Sequence, residues 1–92
     1  MKKKLWSTTH NDGSISIWSY DKNDFVWGVS NKWHPWWIYY PKSNKVDYCT
    51  INNLHDPSII SKPFKGKPDL VKKLWNVHNK YKMSGMNRGI KL

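Results

Sequence analysis

The stretch Lys32-Trp33-His34-Pro35-Trp36-Trp37-Ile38-Tyr39-Tyr40-Pro41-Lys42 limits the folds open to this chain more than any other segment. Residues 36 to 40 are aromatic or β-branched throughout, which suits a pleated strand, and the two prolines bound it. Alternate residues of a strand point to opposite faces, so Trp36, Ile38 and Tyr40 cannot share one core with Trp37 and Tyr39. Some rings must therefore lie outside the main core. Three fates are open to them: cover by a helix or by barrel closure, contact with a partner protein, or exposure as a stacking surface.

The flanking sequence supplies neighbours for this strand. Residues 4 to 10 and 14 to 20 form a hairpin around Asn11-Asp12-Gly13, whose glycine suits a positive-φ turn position. A third strand at 25 to 30 follows the polar break Asp21-Lys22-Asn23-Asp24, pairing Trp18 with Trp27 and Ser16 with Val29. A fifth, 46 to 51, follows the Pro41 to Lys45 turn. It sets Trp37, Tyr39, Val46 and Tyr48 on one face, against Trp36, Ile38, Tyr40, Cys49 and Ile51 on the other.

Prolines interrupt residues 52 to 67, which read as a linker. Pro68 and Asp69 then suit a first helical turn, and Gly85 suits a left-handed stop, so a helix is expected over 68 to 83. Its apolar stripe is Leu70, Leu74, Val77 and Tyr81, with Val71 and Trp75 beside it. The expected fold class is α+β: a five-stranded antiparallel meander, with an SH3-like small barrel as its closed form, and one C-terminal α-helix. Residues 1 to 85 make a single small domain and 86 to 92 a loose basic tail.

The 92 residues suit one domain with a modest core. No apolar run reaches the roughly 18 residues of a spanning helix, and Lys2-Lys3-Lys4 leads into no apolar segment of a signal peptide, so a cytoplasmic location is expected. The chain has no Ala, Glu or Gln, and its bases are nearly all lysine beside nine Asn. That bias resembles small reading frames of AT-rich genomes, phage accessory genes among them. A net charge of +10 favours anionic partners.

Catalytic sets are poorly represented. His10, His34, His55 and His78 are scattered over different elements with no metal-ligand spacing, and Cys49 with His55 lacks an orienting third group. Asp12, Asp21, Asp24 and Asp56 fall at turns, where aspartate serves the backbone, and Asp47 stands alone in a strand. Gly66-Lys67-Pro68 lacks the spaced glycines of a phosphate loop. No enzymatic activity, cofactor or metal is expected.

Lysines interleaved with aromatics match what nucleic acid requires, ammonium groups for phosphates and rings for bases. The expected function is non-enzymatic binding of DNA or RNA with little sequence specificity, since bidentate guanine readout favours arginine and Arg88 stands alone. The candidate contacts are Lys32, Trp33, Trp37, Tyr39, Lys42 and Lys45, with Lys72, Lys73 and Lys80 on the wet side of the helix. The basic ends, Lys2 to Lys4 and Arg88 to Lys91, extend such a footprint or serve solubility alone. The alternative is a phage or mobile-element accessory protein that inhibits a host protein through an aromatic patch. A third option is an aromatic cage for a quaternary ammonium group or a wall polymer. A membrane-surface role loses on shape, because the apolar side of the helix is needed to complete the fold.

Overall fold

The computed structural model describes residues 4–20, 29–30, 32–52, 54–55, 61–82 and 85–92. The elements are β1 (Lys4–Thr9), β2 (Ile15–Tyr20), β3 (Val29–Ser30), β4 (His34–Tyr40), β5 (Lys45–Ile51), β6 (Leu54–His55), β7 (Lys62–Pro63), α1 (Pro68–Tyr81) and β8 (Asn87–Lys91). Six strands form one antiparallel sheet in the order β7-β1-β2-β4-β5-β8, and β3 pairs with β6 in a separate two-stranded ladder.

The β1–β2 hairpin follows from its turn. Gly13 takes φ 89°, its N–H donates to the His10 carbonyl at 3.0 Å, and the His10 N–H donates to the Ser14 carbonyl at 2.8 Å. Asp12 Oδ1 accepts from the Ser14 hydroxyl at 2.6 Å and from its N–H at 2.9 Å, and these two bonds hold the Asp12 carboxyl below the usual carboxylate range. At the β4–β5 turn, Asn44 adopts φ 52°, a left-handed conformation that asparagine tolerates.

The two faces of β4 have different fates. Trp37 stands opposite Ile17 on one side and Tyr48 on the other, and all three are fully buried under α1 together with Leu74. Burying an indole of this size removes on the order of 200 Å² from water, worth roughly 5 kcal/mol before entropy is subtracted. On the opposite face the register aligns Trp6, Trp18, Trp36 and Cys49 in one row across β1, β2, β4 and β5. Trp6 and Trp18 are themselves buried, with Trp36 half-buried against them. The alternation expected for β4 and β5 holds residue for residue.

Four expectations are corrected. The sheet has six strands, and the sixth, β8, comes from the segment read as a tail; Ile90 lies opposite Val46 and packs on the core. An apolar residue in a short basic sequence gives no local sign of such a pairing. Secondly, β2 pairs with β1 and β4, where the expectation was a strand at 25 to 30. Residues 21–28 fall outside the described set, Val29–Ser30 pair with Leu54–His55, and Trp18 stands opposite Trp36, not Trp27. Direct β2–β4 pairing joins the two strongly alternating strands and brings Ile17 onto Trp37.

Thirdly, the supposed linker contributes two short strands; Pro63 is tolerated because β7 lies at the sheet edge, where its missing N–H breaks no ladder. Fourthly, the barrel does not close, since β7 and β8 occupy opposite edges of the sheet. The helix ends at Tyr81, two residues short of expectation, with Pro68 in its first turn as its fixed φ favours.

Candidate nucleic-acid interface

Trp33 immediately precedes β4, outside the alternation that buries its neighbours, and is 65% exposed. It borders a groove of about 530 Å³ shared with Thr50, His78, Lys82 and Gly85. The end of β5 supplies Thr50 and the last turn of α1 supplies His78. Gly85, at φ 76°, lies where the chain leaves the helix for β8.

A ring cluster fixes the helix side of this groove. His78 lies edge-on to Trp75 at 5.7 Å, to Tyr48 at 5.8 Å and to Trp37 at 6.5 Å between centroids, and Trp75 meets Trp37 edge-on at 5.3 Å. Tyr48 Oη and His78 Nδ1 are 2.6 Å apart. Burial pushes the Tyr48 phenol up to about 12, so near neutral pH it keeps its proton. This hydrogen bond ties β5 to α1 whichever ring nitrogen of His78 carries the proton.

The expected contact residues do not gather in one place. Lys32 and Trp33 border or adjoin the groove, and both are exposed. Lys42 and Lys45 are exposed at the opposite end of β4 and β5, where Lys91 stands opposite Lys45 in the register. Lys72, Lys73 and Lys80 are exposed on the outer side of α1, with Lys80 Nζ 5.4 Å from the Tyr81 ring centre. Tyr39 is half-buried against the core, and its hydroxyl reaches Asn44 Oδ1 at 3.4 Å.

Trp37 is a correction. With none of its surface exposed, it cannot stack on a base unless α1 leaves the sheet; its alternation with exposed-looking neighbours hid which face the helix would choose. Thr50, His78, Lys82 and Gly85 were absent from the expected site. No local signal marks them, because only the docking of α1 brings residues 50 and 78 to one groove.

A second, smaller hollow of about 120 Å³ lies among Trp36, Ile38, Cys49 and Met86, with Asp47 and Arg88 also lining it. Asp47 is not isolated as expected: Oδ2 accepts from the Tyr40 hydroxyl at 2.9 Å and Oδ1 from the Gly89 N–H at 2.8 Å, which ties β8 to β5. The bond to Asp47 raises the Tyr40 phenol above its ordinary value. Burial raises the Cys49 thiol, which disfavours the thiolate a nucleophile needs.

Among the described residues, no three His, Cys, Asp or Glu side chains gather as a metal site would require, and no helix is long and apolar enough to cross a membrane. Protein-family models, curated proteins and solved structures show no match to this chain.

Proposed function

We propose that this chain is a small non-enzymatic nucleic-acid-binding protein that reads backbone charge with little base specificity. The observation that carries the reading is Trp33, an indole 65% exposed beside Lys32 and sharing its groove with Lys82, on a chain of net charge +10. An exposed ring flanked by ammonium groups offers a base a stacking face and its phosphates a counter-charge. Lysines at the β4–β5 turn and on the outer side of α1 widen the positive surface. β4 spans seven residues, roughly 23 Å, so contacts at both its ends would cover about seven nucleotide steps at duplex spacing.

A titration of the protein's tryptophan fluorescence with duplex DNA, single-stranded DNA and RNA, at low and physiological salt, tests this. Saturable quenching that weakens steeply with salt is expected. No saturable change with any of the three at low salt overturns the reading and leaves the 65% exposed Trp33 as an anchor for a protein partner instead.

A further inference from the structure

We infer that the Trp33 groove takes one unpaired nucleotide of a single strand, its base on the Trp33 ring and its phosphate at Lys82. This rests on the nucleic-acid reading and narrows it to a strand type. Three observations carry it.

The first is shape. Trp33 lines a concavity together with His78 and Lys82 instead of projecting from a convex surface. A side chain that wedges between stacked base pairs has to project, whereas a ring in the wall of a groove receives what enters it. Within a duplex, each internal base is covered on both faces by its neighbours and offers only its edges. A ring on a groove wall is therefore served by a base that has left the stack.

The second is access. The groove is open to solvent along its length, so a base can reach the Trp33 ring directly while the rest of a flexible strand runs out on either side. The third is the distribution of polarity. Lys82 supplies charge, and Thr50 and His78 supply polar atoms beside the apolar indole, so one ligand with a flat apolar part and an anionic part meets all of them. The groove wall is also set in advance, because His78 is held by the Tyr48 hydroxyl and by the rings of Trp37 and Trp75.

The test compares the full chain with Trp33→Ala, Trp33→Phe, Lys82→Ala and, as a distant control, Lys42→Ala. Fluorescence anisotropy is read with one labelled oligonucleotide, alone and annealed to its complement. Trp33→Ala is expected to weaken single-strand binding by about 5- to 150-fold, the loss of one stacked base, while changing duplex affinity less than about twofold. Trp33→Phe should recover most of that loss, and Lys82→Ala should weaken the single strand and flatten its salt dependence. Lys42→Ala should act equally on both strand types.

Circular dichroism and urea midpoints show whether each variant is folded; Trp33 is exposed enough that its removal should leave the fold intact. If the wild-type chain binds nucleic acid but Trp33→Ala leaves single-strand affinity unchanged, or weakens duplex just as much, the groove assignment is overturned and the general binding function stands. If the wild-type chain binds neither form, both fall together.

Discussion

The hydroxyl of Tyr48 in β5 lies 2.6 Å from Nδ1 of His78 in α1, joining positions 30 residues apart across the face of the sheet that carries Trp37. The contact makes the last turns of the helix part of the same packed unit as the sheet and fixes one wall of the Trp33 groove. The removal of the phenol oxygen therefore acts on stability first and on the groove second. Tyr48→Phe should lower the unfolding free energy by about 1 to 3 kcal/mol, measured as a shifted urea midpoint at unchanged slope.

Alkali should act through the same residue. The folded Tyr48 phenol is pushed up to about 12, against about 10 in an unfolded chain. Below pH 10 both states hold the proton and stability is complete. Between about pH 10 and 12 the unfolded chain releases it first, so stability falls as pH rises through this window. Tyrosinate absorbance and circular dichroism followed together should show one of the five tyrosines ionising only as the fold is lost. Ionisation of all five before any loss of structure would contradict the burial of Tyr48.

The two tryptophans that bracket the start of β4 should behave oppositely. Trp37→Ala removes a fully buried ring from between Ile17, Tyr48 and Trp75 and should cost about 3 to 5 kcal/mol, much of the stability of so small a domain. Trp33→Ala should stay within about 0.5 kcal/mol of the parent. Thermal or urea unfolding of the two variants side by side checks the contrast.

Cys49 should be a slow thiol. Its half-buried position opposite Trp36 in β5 raises the thiol pKa, so alkylation at neutral pH should be slower than for the urea-unfolded chain and should accelerate only well into alkaline pH. Timed iodoacetamide labelling followed by mass spectrometry measures both rates. Equal rates in the two states would mean that Cys49 is not protected by the sheet.

The spread of lysines predicts a graded salt response. Lys42→Ala and Lys45→Ala, at the far end of β4 and β5 from Trp33, should each reduce the slope of log affinity against log salt by about 1 wherever that lysine meets a phosphate. Titrations at four salt concentrations give the slopes. Unchanged slopes in both variants would remove the β4–β5 turn from the interface.

Much of the fold was legible in local pattern. The hairpin around Gly13, the alternation along β4 and β5, and the helix with its Leu74 and Val77 stripe each depend on residues close in sequence, where turn chemistry and periodicity act directly. Even the division of Trp36 from Trp37 follows from the pleat alone. Strand partners did not follow: β2 skips to β4, β8 adds to β5 from a basic segment, and β6 and β7 are two-residue pairings too short to leave a periodic trace.

The candidate site divides along the same line. Trp33 and Lys32 were visible as an aromatic beside a base, a pairing that needs only residues adjacent in sequence. Composition and strand alternation determined that rings would fall on both faces of β4 and that the surface would be positive. Tertiary structure alone decided which rings are reachable: α1 crosses the face carrying Trp37, so that ring is buried, and Trp33 escapes because it stands before the strand begins. It alone also brought Thr50, His78 and Lys82 to Trp33, since pairing and docking over such separations depend on the burial gained by the whole sheet and not on any residue's own preference.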